Sequence, residues 1–358
     1  MKKQIALLLV LCMALTLAAC GGTPSDSSQS QSAAPEPGAA PAPADPAAEG
    51  GTIGIAFRRF DDTHITNIRN AMQARAAELG TDIDSVDCQS SQPMQNDKID
   101  MFITKGYTAI GLIIQENSSG ATIIDKAKSA GDIPLVFFNQ EPFAEDLASY
   151  DNAYYVGAIA SESGKMQGTI MADYWEANMD TMDKNGDGIL QYVMITGDLG
   201  TTDAVQRTEF SVKELEARGI EAECIAQDTA MWDRVKGQEK MQAFLSAHGD
   251  NIEAVFANND DMALGAIEAL KAAGYFTDGK FVPVIGVDNT DPGKEAIKDG
   301  TMLGTVLNDA VTQGNAAMEL LDLLARGEKP TADNYKYEIT DGHYIWIPYV
   351  PVTKDSVQ

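Results

Sequence analysis

The side chains able to do chemistry in this chain recur at one kind of place, just beyond short apolar runs. Asp61 and Asp62 stand a few residues after Thr52–Phe57, and Asn139 directly follows Phe137-Phe138. Asp203 and Arg207 follow the run ending at Thr196, and Asn258-Asn259-Asp260 follow Glu253–Ala257. Asp288 follows Val284–Val287, Asn308-Asp309 follow Thr305–Leu307, and Trp232 closes Asp228-Thr-Ala-Met-Trp232. Carboxylates only accept hydrogen bonds, a guanidinium only donates, and carboxamides do both. Together they complement neighbouring hydroxyls, each of which donates and accepts. A flat aromatic face offers apolar contact to the C–H side of a ring. The inventory suits a sugar. It does not suit a nucleotide, because no G-x-x-x-x-G-K-[ST] or G-x-G-x-x-G follows any run. Taken singly, each Asp or Asn is more often a helix N-cap than a ligand. Recurrence at six run ends, with an Arg and a Trp on the same rim, favours the ligand.

A second constellation is Asp183-Lys-Asn185-Gly-Asp187-Gly-Ile189-Leu-Gln191. It fits the first nine positions of an EF-hand loop, with side-chain oxygens at 1, 3, 5 and 9, a turn glycine at 6 and the Ile189 carbonyl at 7. Position 12 is Met194, which cannot chelate. Calcium needs about 6–8 oxygens, so a carboxylate must come from elsewhere in the chain. Zinc and dithiol chemistry are excluded by four cysteines without a C-x-x-C and only three histidines. Cys88 and Cys224 each follow an apparent edge segment in different halves, and no disulfide is expected between them.

The elements that must position these groups alternate. After the Thr52–Phe57 run, Ile65, Ile68, Met72, Ala76 and Leu79 recur at helical spacing up to Gly80. Helical patterns over about 93–105 and 119–130 alternate with the runs Tyr107–Ile114 and Ile133–Phe138. Short buried strands joined by crossover helices mean a parallel sheet covered on both faces. The pattern restarts after Gly157, with helices over about 162–178 and 203–218, a strand near 221–226, and the runs Gln191–Thr196, Glu253–Ala257 and Val282–Val287. The expected fold class is α/β, with two doubly wound parallel-sheet domains whose ligand loops lie at the carboxyl ends of the strands.

The N-terminus reads as an address. Two lysines, an apolar stretch and small residues lead to Leu17-Ala-Ala-Cys20, which matches a lipobox in which Cys20 is lipidated after removal of residues 1–19. The apolar stretch Ile5–Ala19 has 15 residues, where a membrane span needs about 20. Residues 20–51 are rich in Ser, Pro, Ala and Gly and read as a flexible tether. The 358 residues suffice for two domains, and the net charge of −27 opposes binding to nucleic acid. A monomer held outside the membrane is expected.

Several long stretches identify a resemblance. Val136–Pro142, Ala153–Gly157, Asp228–Asp233, Ala257–Asp260, Gly286–Asp288 and Gly304–Asp309 resemble the bacterial galactose/glucose-binding proteins, solute receptors of ABC sugar importers, over about 52–353. The resemblance implies a type I periplasmic-binding-protein architecture with three hinge crossings, near 157–158, 308–309 and 343–348. Residues 52–157 plus 309–343 would form the N-terminal domain, and 158–308 plus 344–358 the C-terminal one. It implies that Asp62 and Asn139 hold the sugar from the first domain, and Asp203, Arg207, Asn259 and Asp288 from the second, with Asn308 at a crossing. Trp232 would be one of two aromatic plates. His64 stands where the family has its other plate, usually Phe, and Thr201 where it has a His. These two departures put the choice of sugar in question and keep open a pentose or a modified hexose. The resemblance also supplies Glu253 as the missing calcium ligand. It implies a membrane permease as partner, with presentation to a chemotaxis or kinase sensor as an addition.

Two other classes fit less well. A glycosidase needs one carboxyl of raised pKa facing a second at a defined gap, whereas Arg and Asn neighbours would keep these carboxylates ionised. A sugar-responsive repressor needs a helix-turn-helix before the body, where this chain has the leader and tether.

Overall fold

The computed structural model describes residues 51–357. The first half runs β1 (Ile53–Phe57), α1 (Thr63–Leu79), β2 (Ile83–Asp87), α2 (Gln92–Thr104), β3 (Ala109–Leu112), α3 (Gly120–Ser129), β4 (Leu135–Phe138), α4 (Ala144–Ala148) and β5 (Ala153–Gly157). The second runs α5 (Ala160–Met182), β6 (Leu190–Thr196), α6 (Thr202–Ala217), β7 (Ala222–Thr229), α7 (Arg234–His248), β8 (Ala254–Ala257), α8 (Asp260–Ala272), β9 (Val284–Ile285), α9 (Asp291–Lys298) and β10 (Gly304–Leu307). The chain then returns through α10 (Ala310–Ala325) and β11 (Tyr344–Trp346) and ends with β12 (Val350–Thr353).

Two six-stranded sheets result, ordered β11-β5-β4-β3-β1-β2 and β12-β10-β9-β8-β6-β7. All pairings are parallel except β10 with β12. Central strands such as Ile53–Phe57 are buried at every position, as a sheet covered on both faces requires. The outermost strands β2 and β7 carry the charges and are half-exposed or exposed, which blunts free edges. In the first lobe, α1 and α10 bury Ile65, Met72, Leu320 and Leu321 against one face, while α2 and α3 bury Ile99, Phe102 and Ile124 against the other. The second lobe repeats the plan, with Met241, Ile267 and Ile297 on one side and Trp175, Met171 and Leu215 on the other.

The chain crosses between lobes three times: after β5, after β10 and after β11. The third crossing corrects the expected boundary at 344. Strand β11 pairs with β5 in register Tyr344–Tyr155, so residues 344–346 belong to the first lobe and the crossing lies at 347–349. Ala158, Val287, Val306 and Tyr349 pack as a small apolar cluster beside the crossings. The helix expected to end near 178 continues to Met182 past a kink at Asn178, whose side-chain amide donates to the Tyr174 carbonyl at 2.8 Å. Cys88 follows β2 and is buried, whereas Cys224 lies inside β7 rather than after it; both are free thiols. No helix among the described residues is long and apolar enough to cross a membrane. The expected signal, Cys20 and the tether lie outside the described residues.

Candidate functional site

The turns after β1, β4, β6, β7, β8, β9 and β10 converge on one cleft between the lobes, about 400 Å³ including its opening. Its lining includes Asp62, His64 and Asn139 from the first lobe, Asp203, Arg207, Trp232, Asn259 and Asp288 from the second, and Asn308 at the second crossing. Helix starts position two of these. Asp62 Oδ1 accepts the Ile65 N–H at 2.8 Å and caps α1; Asn259 Oδ1 accepts the Met262 N–H at 2.9 Å and caps α8. Capping and lining the cleft are therefore two roles of the same side chains. Three others stand on backbone that non-glycine residues rarely adopt: Asn139 (φ 64), Trp232 (φ 65) and Asp288 (φ 120). Such positions cost of order 1–3 kcal/mol each and gather where a ligand is held.

The polar groups form one network. Arg207 donates from Nη1 to the Asn258 carbonyl at 2.8 Å and from Nη2 to the Tyr349 hydroxyl at 3.0 Å, with Asp203 Oδ1 at 3.4 Å. Its guanidinium lies 5.5 Å from the Trp232 ring centroid. His64 Nε2 lies 3.1 Å from Asn139 Oδ1 and 3.0 Å from Asn308 Nδ2, and Nδ1 lies 3.7 Å from Asp288 Oδ1. Asn308 also donates to Asp288 Oδ1 at 3.3 Å. Three buried donors of the lining, Arg58 Nε, Arg207 Nε and Trp232 Nε1, have no protein partner among the described residues. Buried donors without partners are uncommon and point to a ligand or water.

Burial raises the cleft carboxyls, contrary to the expectation that Arg and Asn neighbours keep them ionised. Burial, joined by the charges of Asp288 and Asp261, pushes Asp62 up to about 6. Burial pushes Asp288 up to about 7 against the pull of Arg207, and raises Asp203 in the same way. Burial drives His64 down to about 4, so its ring is neutral at pH 7. The lobes meet around the cleft through Arg58–Asp198 (2.6 Å), Arg59–Asp233 (3.0 Å) and Thr63 to Asp261 (3.1 and 3.0 Å). All three first-lobe partners lie in or just after the turn that follows β1.

The 183–191 loop is arranged differently. Glu253, just before β8, accepts the Lys184 N–H at 2.6 Å and the Gln191 N–H at 2.9 Å, so it spans the loop. Asp183 accepts N–H groups from Gly186, Asp187 and Gly188 at 2.7–3.1 Å. Asp187 accepts from the Ile189 N–H and the Gln191 amide, and Asn185 donates to it at 2.8 Å. The expected oxygen donors are thus gathered in one place, which fits a hard cation in composition. Their lone pairs are turned onto the loop's own N–H groups, and among the described residues no three His, Cys, Asp or Glu side chains converge on a shared point.

The periplasmic binding protein domain model matches residues 53–329. The chain belongs to this family. This binding protein is 40% identical over 312 residues to the D-galactose/methyl-galactoside binding periplasmic protein of Haemophilus influenzae, covering 87% of this chain and 92% of that one. It is 31% identical to a xylitol-binding protein of Mycolicibacterium smegmatis over 81% of this chain and 77% of that one. Among solved structures it resembles an ABC transporter solute binding protein from Bacillus halodurans with bound myo-inositol, at 29% identity and a TM-score of 0.72, covering 86% and 96% of the two chains.

Nine of the ten expected sugar-site residues line the cleft of this binding protein, and Thr201 does not. Thr201 holds the N-cap position of α6, its hydroxyl donates to the Asp198 carbonyl at 2.7 Å, and it faces a separate outer cavity with Asn117 and Phe143. Asp61 is also outside, exposed and paired with Arg59. Sequence reasoning missed Arg58, Arg59 and Gln140, which line the cleft. Their signal was present, since Arg58-Arg59 directly follow β1 and Gln140 follows Asn139. Tyr349, which holds Arg207, had no such signal because it follows a strand whose place in the first sheet was not foreseen.

Proposed function

We propose that this binding protein captures an aldohexose, galactose or glucose, in the interdomain cleft and delivers it to the permease of an ABC importer. It catalyses no reaction on the sugar. The observation that carries this reading is the cleft itself: planar polar side chains from both lobes surround Trp232, and the Arg207 and Trp232 donors are buried without protein partners. Ring hydroxyls supply both the acceptors those donors lack and the donors that Asp62, Asp203 and Asp288 accept. Galactose rests on the ligand for which the Haemophilus relative is named, and the importer on the Bacillus one. In this reading the lobes close over the sugar by hinge motion, and the Arg58–Asp198 and Arg59–Asp233 pairs form only in the closed state.

The finer parts of the proposal concern the rest of the chain. One calcium ion binds at Asp183, Asn185, Asp187, the Ile189 carbonyl, Gln191 and Glu253, where it would tie the loop to the start of β8. Cys20 carries a lipid anchor that holds a monomeric body at the outer face of the membrane. A different monosaccharide is the second reading, favoured by His64. Its Nε2 is engaged by Asn139 and Asn308, so it fixes two neighbouring ligands instead of offering only an apolar plate.

Calorimetry of the purified protein against galactose, glucose, ribose, xylose and myo-inositol tests the reading. Tightest binding of galactose or glucose is expected, with no turnover of the sugar. Tightest binding of a pentose selects the second reading, and tightest binding of the cyclitol or no binding by any member removes both.

A further inference from the structure

Of the tripeptide Asn258-Asn259-Asp260, only Asn259 lines the cleft. Asp260 is fully buried behind it, and its bonds converge on one turn. Its main-chain N–H donates to the Val287 carbonyl at 2.7 Å. Its Oδ2 accepts the Thr290 N–H at 2.7 Å and the Thr290 hydroxyl at 3.1 Å, and Oδ1 accepts the Thr305 hydroxyl at 2.6 Å. The Thr305 hydroxyl oxygen in turn accepts the Asn289 N–H at 3.3 Å. Val287 before Asp288, and Asn289 and Thr290 after it, are therefore all tied to Asp260, directly or through Thr305.

The segment so held is one the backbone resists, with Asp288 at φ 120 and Asn289 at φ 56. Space for the carboxylate exists because residues 286 and 293 are glycines: a Cβ there would come within 2.4 Å of Oδ1 and 2.5 Å of Oδ2. Burial, with the charge of Asp288 added, pushes the Asp260 carboxyl up to about 8 despite its three donors. A costly buried acid with every bond aimed at one turn has a use beyond filling the core.

We infer that Asp260 is a positioning residue that clamps the 287–290 turn and so sets the Asp288 carboxylate for the ligand. The inference rests on reading the cleft as a sugar site and adds a residue that does not touch the sugar. A residue that merely stabilised the second lobe would affect binding equally whatever stands at 288; one that acts through Asp288 would not.

A double-mutant cycle separates these, run by calorimetry on whichever sugar the native protein binds tightest. Asp260→Asn is expected to weaken that sugar about tenfold or more alone, and less than about twofold in the Asp288→Asn background. Equal fold-changes in both backgrounds, or no change in either, overturn the inference. Thr305→Val, which keeps shape and removes one link of the clamp, is run in the same cycle in case Asp260→Asn fails to fold, with the same two outcomes. Hydrogen exchange on the sugar-free protein decides the matter independently of sugar binding. Faster exchange confined to 287–290 in the folded variant supports the clamp, and exchange spread through the second lobe or left unchanged overturns it. If no sugar binds, the proposed function falls while this measurement still judges the clamp.

Discussion

The cleft and the 183–191 loop are both rich in oxygen ligands, and they differ in how many of their carboxylates bind backbone N–H groups. In the loop, Asp183, Asp187 and Glu253 accept backbone N–H groups from the loop around them. In the cleft, burial raises Asp62, Asp203 and Asp288, as it raises Glu253 beside the loop, but of the three Asp62 alone caps a helix N–H. A segment that supplies its own donors is locally satisfied; a cleft built from seven separate turns is left with bonding capacity for a guest. That contrast separates a structural ligand set from a recognition site more clearly than residue type does.

The sharpest way to break it is at Arg207, the cation shared by Asp203 and Tyr349. Arg207→Met leaves buried carboxylates unpaired, a change worth about 3–5 kcal/mol, so calorimetry should show sugar affinity falling about 100-fold or more. Next comes Trp232→Ala, expected to cost about 2–4 kcal/mol as a buried aromatic anchor and to remove most of the sugar-induced change in tryptophan fluorescence. Retained binding in either variant would move recognition out of this cleft.

The loop should respond in stability rather than affinity. With calcium about 100-fold above its Kd, native-only binding adds about 2.7 kcal/mol. Chelation should lower the melting temperature while sugar affinity stays unchanged, and Glu253→Gln should mimic chelation. Melting curves indifferent to chelator would leave the loop held by its N–H bonds alone.

A pH dependence follows from protonation. Under the proposed function, Asp288, raised to about 7, and Asp62, raised to about 6, accept sugar hydroxyls in their ionised form. Binding then requires proton release below those values, so affinity should fall as pH drops from 8 to 5, by up to about a hundredfold through Asp288 and about tenfold through Asp62. His64, depressed to about 4, stays neutral over that range and does not oppose the trend. A flat profile over that range would show that these carboxyls do not contact the ligand. The smallest change is predicted for Asp61→Asn. Asp61 is exposed outside the cleft, so affinity should stay within about twofold, and a large loss would extend the site to the β1–α1 turn surface.

Much of the site was legible because α/β folds place ligands at strand ends, and strand ends can be read from where apolar runs stop. Asp62, Asn139, Asn259 and Asp288 each follow such a run closely, and all four reach the cleft. Thr201 does not reach the cleft although the family resemblance implied that position, because it is the N-cap of α6 with its hydroxyl on the Asp198 carbonyl. Residues 344–346 were assigned to the wrong lobe because a three-residue strand carries no periodicity to say which sheet it joins.

Periodicity and composition in the sequence alone determined the alternating strands and helices, the two-domain plan and the polar character of the strand ends, since these depend on local pattern and on which residues can be buried. Tertiary structure alone decided which of those ends meet. The register of twelve strands and three crossings brings Arg58 to Asp198, His64 to Asn308 and Asp260 to the turn around Asp288. Each pair lies far apart in the chain, and its contact follows from packing that no local pattern encodes.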